Sequence, residues 1–320
     1  MNYNYGFHID STPKTLCDNL IEYKNLINTK NPVIQLFVNI DKKYYEIYKK
    51  FATQLKKNNI NVIVHASYTL NMAQKWDEYS WWINQLVLEI NLANKIGAKF
   101  IVLHLGKSLD LDLNVALNNM YSALLYVANK LSESIDIKIL LETSSGQGSE
   151  MCIKLEDLSR FINKLLNHKN KKISKRFGIC VDTCHIYSAG YDINSKKNVL
   201  RYIKDFDKYI GLKNLKVLHL NNSKTELNSN KDRHDNLIHG NINIDDSKII
   251  YSNEQLKNIW VEKYRPTKLA DMVLSDSLRA FVEECRAKGE IPNMLFVGNA
   301  GTGKTTLAKV IVSEILDAQY

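Results

Sequence analysis

The sequence predicts an α/β protein, a TIM-type parallel (β/α) barrel, and three observations predict it. Five short apolar runs, 61–65, 100–104, 137–142, 177–182 and 215–219, each end on a histidine or a carboxylate. Their last residues, His65, His104, Glu142, Asp182 and His219, lie 39, 38, 40 and 37 positions apart. That is room for one strand and one helix per repeat. Between the runs, apolar residues recur at helical spacing. Barrel enzymes carry their chemistry at the C-terminal ends of the strands, so this pattern puts a polynuclear metal site at the mouth of the barrel.

The elements follow in order. Two earlier strands, near 5–9 and 33–38, bring the strand count to seven. A helix is expected over 76–96, where Trp82, Leu86, Ile90 and Ala93 share a face and Gly97 supplies the stop. A second is expected over 112–133, with Leu117, Tyr121, Leu124 and Ala128. A third, over 153–167, packs with Phe161 and Leu165. Composition changes near residue 250, where an Asn- and Lys-rich stretch gives way to Ala, Val and Glu. We therefore expect a barrel over 1–245, a junction over 246–259 and a second module over 260–320.

The chain of 320 residues is long enough for such a barrel with a remainder. It has no run of 18 apolar residues, so no membrane span or membrane partner is expected, and the start lacks the apolar region of a secretory signal. The five cysteines are scattered, which fits neither a disulfide framework nor a cysteine zinc site. Reduced thiols in a cytoplasmic or nuclear-type compartment are expected. Residues 251–320 hold nine basic and nine acidic side chains, so the whole excess of +9 belongs to residues 1–250. A basic enzyme domain suits a polyanion such as DNA, although a coding bias toward lysine gives the same balance.

Two local motifs add ligands to the strand ends. One is Asp182-Thr183-Cys184-His185; the other is Lys231-Asp232-Arg233-His234. Five of the eight histidines and three carboxylates then fall at these positions. Imidazole and carboxylate without thiolate favour zinc, with manganese or iron next. Eight ligands exceed the need of one tetrahedral ion, so two or three ions are implied, a set suited to in-line displacement at phosphorus.

The segments His65-Ala-Ser-Tyr-Thr-Leu-Asn71, Leu103-His104-Leu-Gly-Lys-Ser108, Leu141-Glu142-Thr-Ser-Ser-Gly-Gln-Gly-Ser149, Val181-Asp182-Thr-Cys-His185 through Asp192, and His219-Leu-Asn-Asn-Ser-Lys224 with Lys231–His234 resemble the endonuclease IV family over about residues 3–243. The resemblance implies a zinc-dependent apurinic/apyrimidinic endonuclease of base-excision repair acting on double-stranded DNA. It would cut 5′ to the abasic site by a metal-activated hydroxide and leave a 3′-OH. It also implies the ligand sets: His65, His104 and Glu142 for one zinc; Glu142, Asp182 and His219 for a second, with Glu142 bridging; His185, Asp232 and His234 for a third. Glu142, Asp182 and His219 would stand at the centre of catalysis. Further positions implied to meet DNA are Tyr68, Thr69 where the family usually has Leu, Lys42 and Lys43 where it has Arg, Gln147 and Arg233. His8 matches an early family histidine, with a structural role and a phosphate contact both open.

The family closes its barrel with an eighth strand bearing a Glu ligand, and no such sequence follows Gly240. Activity is expected to suffer from that loss. The apolar run 291–297 leads instead into Gly298-Asn-Ala-Gly301-Thr-Gly303-Lys304-Thr305, a phosphate-binding loop pattern. With Trp260-Val-Glu-Lys-Tyr-Arg-Pro266 it resembles the opening of clamp-loader (replication factor C-type) AAA+ ATPases over about 260–320. The resemblance implies a truncated P-loop fragment for ATP and Mg²⁺, with weak nucleotide binding and no hydrolysis, since the chain ends one helix later. Two other readings compete with the nuclease: a sugar-isomerase-like metal barrel, which needs fewer ligands, and an inactive DNA- or nucleotide-binding fusion.

Overall fold

The computed structural model describes residues 4–26, 31–237 and 239–243, and in the C-terminal stretch residues 268, 272, 276–288 and 310–311. The chain divides into two compact units, Met1–Ile250 and Tyr251–Tyr320. In the first, seven parallel strands lie side by side in chain order: β1 (Gly6–His8), β2 (Val33–Phe37), β3 (Asn61–His65), β4 (Phe100–His104), β5 (Lys138–Glu142), β6 (Phe177–Asp182) and β7 (Leu215–His219). Helices α1 (Leu16–Leu26), α2 (Tyr45–Lys57), α3 (Trp81–Lys95), α4 (Leu113–Lys130), α5 (Leu155–Leu166), α6 (Lys171–Ser174), α7 (Thr183–Ser188) and α8 (Lys196–Tyr209) fill the crossovers. Among the described residues no strand joins β7 to β1, so the sheet is a barrel-like array of seven strands with an open seam.

Alternation along the strands separates core from chemistry. Ile34, Leu36, Val62, Val64, Ile101, Leu103, Ile139, Leu141, Ile179 and Val181 belong to the large core shared with Phe51, Leu86, Ile90, Leu124 and Phe161 of the helices. Each such burial stabilises the fold by roughly 1.5–3 kcal/mol. The other parity forms a small separate cluster of Val102, Leu140 and Cys180, edged by Ile63, Phe100 and Val217. The next residue of that parity on β3, β4, β5, β6 and β7 is His65, His104, Glu142, Asp182 and His219. Register aligns them pairwise: His104 stands opposite Glu142, and Asp182 opposite His219.

Helix α3 begins at Trp81, five residues later than periodicity suggests. Asp77 and Ser80 explain the difference. Asp77 Oδ1 accepts from Tyr79 N at 3.0 Å and from Ser80 Oγ at 2.9 Å, while Ser80 Oγ accepts from Asp77 N at 2.9 Å. This local turn competes with the helical bonds. Helix α4 starts where expected because the Asp112 carboxylate accepts from Asn114 N and Val115 N.

In the second unit, one helix spans Asp276–Lys288, with Val282 and Cys285 buried. Arg279 Nη2 donates to Met272 O at 2.8 Å. The P-loop residues Gly298, Gly301, Gly303, Lys304 and Thr305, the junction and the Trp260–Pro266 motif lie outside the described residues. So does the run 291–297 that precedes them. The described cysteines are all free and buried. No described helix is long and apolar enough to cross a membrane.

Candidate metal centre

Strands place five of the eight expected ligands, and two short devices place the rest. Asp182 ends β6 and caps α7 at once, its Oδ1 accepting from His185 N at 3.1 Å. The one-turn offset brings His185 back over the strand ends. Asp232 and His234 ride on a loop that is held on both sides. Asn222–Ser223 (β8) pairs antiparallel with His234–Asp235 (β9), and buried Asn222 donates to Leu237 O and Ile242 O. On the other side, Asn228 N donates to Tyr187 O, Asn230 N to Ser188 O, and Ser188 Oγ to Lys231 O. Gly146, at φ 87°, makes room for this loop: a Cβ there would stand 2.5 Å from Asn230 Oδ1.

The eight side chains meet. Glu142, 2% exposed, is the hub. Its Oε2 lies 3.3 Å from His65 Nε2 and 3.0 Å from His104 Nε2, and its Oε1 lies 2.5 Å from His219 Nδ1. Asp182 Oδ2 lies 3.7 Å from both His219 Nδ1 and His234 Nε2. Asp232 bridges the remaining pair, 3.2 Å from His185 Nε2 and 3.1 Å from His234 Nε2. Ligand atoms of His65, His104 and Glu142 lie within 4.8 Å of one another, as do those of His185, Asp232 and His234, and of Glu142, Asp182 and His185.

The ring orientations fit a divalent cation. His65 Nδ1 meets the carbonyl of Ala66 at 2.7 Å, and His185 Nδ1 meets that of Thr143 at 2.8 Å. A carbonyl only accepts, so each Nδ1 carries the proton and each Nε2 is left to face carboxylates. His185 Nε2 is buried with no hydrogen-bond partner, although Asp232 Oδ2 is 3.2 Å away. One ring nitrogen anchored outward and the other aimed at a carboxylate cluster is the arrangement metal-binding histidines adopt.

Electrostatics agree. Burial opposes the charge on Glu142, but the neighbouring His219, with hydrogen bonds from His104, His219 and His65, holds its carboxyl well below the usual range. Burial also opposes the Asp232 charge, and His185 and His234 overcome it, so that carboxyl too is strongly depressed. The reciprocal effect raises His185, where Asp182 leads the charges that outweigh burial, and raises His234 beside Asp232. The carboxylates thus demand compensating positive charge, which protons meet when metal is absent.

Two thiols also approach the centre: Cys180 near Glu142 and His219, and Cys184 near Asp182 and His234. Sequence spacing gave no hint of this, since neither falls at a strand end. Burial pushes both thiols up, Cys180 far up.

The residues expected to meet DNA have mixed surroundings. Tyr68 is 72% exposed and edges against Phe37 at 5.6 Å. Thr69 and Lys42 are exposed, and Lys43 is exposed but paired with Asp41 at 2.7 Å. Phe37, Asn39, Tyr68 and Thr69, together with Asp10 and Glu89, line a cavity of about 520 Å³. Gln147 is half-buried, and its Oε1 accepts from Asp232 N at 3.1 Å and from Arg233 Nη1 at 3.0 Å. Both Gln147 and Arg233 are therefore tied to the loop that carries Asp232 and His234. His8 is held near pKa 4 by burial and by its His65 and His219 neighbours.

Comparison with known proteins adds a second line of observation. A family model described as a xylose isomerase-like TIM barrel matches residues 31–248. A protein named probable endonuclease 4 from Malacoplasma penetrans is 42% identical over 205 residues, covering 62% of this chain and 65% of that protein, just under two thirds of its length. Another of that name, from Thermosipho melanesiensis, is 33% identical over 218 residues, covering 68% of this chain and 74% of its own. Among solved structures, endonuclease IV from Thermus thermophilus superposes with a TM-score of 0.59 at 20% identity, over 81% of this chain and 90% of that one, a likeness of fold.

Proposed function

Because the chain belongs to the endonuclease 4 family of xylose isomerase-like TIM barrels, we propose that it is a zinc-dependent apurinic/apyrimidinic endonuclease. In this reading it hydrolyses the phosphodiester 5′ to an abasic site in double-stranded DNA and leaves a 3′-OH. The observation that carries the proposal is the convergence of eight imidazole and carboxylate side chains around Glu142. A sugar-isomerase reading would not call for the additional triad of His185, Asp232 and His234.

His65, His104 and Glu142 would hold one ion, Glu142, Asp182 and His219 a second, and His185, Asp232 and His234 a third. When bound, the ions supply Lewis-acid charge for attack at phosphorus and for the departing oxygen. The chain's own residues do the rest. Glu142 has its carboxyl held well below the usual range and faces the rings of His65, His104 and His219. Asp232 keeps His185 and His234 directed toward the same point. Gln147 and Arg233 steady that loop. Tyr68, Thr69, Lys42 and Lys43 stand on the loops after β2 and β3 and would meet the duplex, while the basic excess of residues 1–250 draws it in.

The test is incision of a duplex carrying one synthetic abasic site, with zinc-loaded protein and with chelator present. Cleavage on the 5′ side that leaves an extendable 3′-OH and disappears with chelator supports the proposal. Zinc-loaded protein that leaves the duplex whole refutes it. For residues 260–320 we read the P-loop pattern as a clamp-loader-like site that binds ATP and Mg²⁺ weakly. Titration with a fluorescent ATP analogue tests the binding, and the absence of a saturable signal would overturn it.

A further inference from the structure

Gln35 occupies the middle of β2, on the parity that faces the ligands, directly opposite His8 of β1 in register. Its amide is used at both ends. The oxygen meets His219 Nε2 at 2.8 Å, and the nitrogen meets His8 Nδ1 at 3.1 Å. His219 belongs to β7, 184 residues away, and β7 does not pair with β1 or β2. One side chain thus spans the open seam of the sheet and ends on a residue of the metal centre.

The chemistry of that contact is directional. An amide oxygen only accepts, so His219 Nε2 carries a proton and Nδ1 is the nitrogen left for a cation. Nδ1 is the atom that faces Glu142 Oε1 at 2.5 Å and Asp182 Oδ2 at 3.7 Å. On the other side, His8 must present an unprotonated Nδ1 to accept from the amide nitrogen. With both ends engaged, the amide is held in place between His8 and His219, and the His219 ring is held with it.

We propose that Gln35 is a positioning residue that fixes the His219 ring for metal binding, with His8 as the anchor that fixes Gln35. The proposal rests on the reading of this centre as a metal site and goes beyond it, since Gln35 touches no expected metal position itself. Hydrogen-bond partners of this kind commonly change metal affinity by 10–100-fold when removed.

The test measures zinc affinity of the whole chain by competition with a chromophoric chelator, for wild type, Gln35→Leu, Gln35→Glu and His8→Phe. Gln35→Leu keeps bulk but loses the acceptor, and one zinc should bind roughly 10–100-fold more weakly. Gln35→Glu keeps an acceptor for His219 Nε2–H but gives up the donor to His8, and should recover zinc binding to the same intermediate loss as His8→Phe. His8→Phe frees the far end of the amide and should give an intermediate loss. A merely structural role predicts a different pattern: both Gln35 variants melt early without metal, and the glutamate variant does not recover zinc. Equal affinity in wild type and Gln35→Leu overturns the proposal, as does loss in Gln35→Glu as deep as in Gln35→Leu. If Gln35→Leu fails to fold, the glutamate and phenylalanine variants still decide, and His8→Phe at wild-type affinity removes the anchor. Incision by wild type, scored separately, distinguishes failure of the nuclease reading from failure of this one.

Discussion

Replacing Glu142 by glutamine keeps the size of the side chain and removes its charge. Among the described residues, the carboxylate belongs to three of the five groups of ligand atoms that could hold an ion, and it touches His65, His104 and His219 directly. Asp232 reaches only His185 and His234. Loss of a ligand should cost each affected ion at least the roughly 10–100-fold typical of outer partners. At about 1.4 kcal/mol per tenfold, two affected ions amount to about 3–6 kcal/mol of binding free energy. Elemental analysis after dialysis against a fixed low concentration of free zinc should therefore find at least two ions missing from Glu142→Gln, and one missing from Asp232→Asn. Incision of an abasic duplex should vanish in the first variant. The reasoning is refuted if Glu142→Gln retains three tightly held ions, or loses no more than Asp232→Asn does.

Three other outcomes are expected. Gln147→Ala frees the loop at Asp232 N and Arg233, and should weaken zinc at His185, Asp232 and His234 by roughly 10–100-fold while leaving the other ions in place; unchanged zinc binding would show that the loop needs no such support. Asp112→Ala removes the cap of α4, far from any ligand, and should lower stability by about 1 kcal/mol in urea unfolding with no change in metal content; a change in metal content would contradict the separation of cap and centre. Burial raises the Glu89 carboxyl above its ordinary 4.5, only partly offset by bonds from Gln85 and Ser67. The folded chain then holds a proton the unfolded chain has released, so stability falls as pH rises from 4.5 through the raised value. Glu89→Gln should flatten that fall and melt higher at neutral pH, and a melting profile that keeps the parent's pH slope would exclude Glu89 as its source.

The strand ends were legible because each combines two signals that rarely coincide. A buried apolar run has no local reason to finish on histidine or carboxylate, and the recurrence near 40 residues ties the runs to one architecture. Parity then carried the ligands to one face, as the register of His104 with Glu142 and of Asp182 with His219 shows. The supporting amides were not legible. Gln35 sits inside an apolar strand and Gln147 between two glycines, and neither position has a periodicity that announces its partner. Their partners lie 184 and 85 residues away, so only folding reveals them. Asn222 escaped for the same reason, since its role is to close a two-residue ribbon that propensity does not encode. The late start of α3 escaped because hydrophobic spacing continues through Trp76, while Asp77 and Ser80 settle the backbone by their own side-chain bonds. The C-terminal loop pattern remains a sequence observation, since its residues lie outside those described.

Asp182 joins two obligations that most proteins assign to different residues. One of its oxygens starts a helix, and the other faces two imidazoles and accepts from Asn221 Nδ2 at 2.6 Å. Substitution there leaves no neutral path. Asparagine can still begin the helix but surrenders the anion, and glutamate keeps the anion but overreaches the turn. Drift at this site is therefore blocked from two directions at once, and a lineage could retire the chemistry here only by also rebuilding the corner that launches α7.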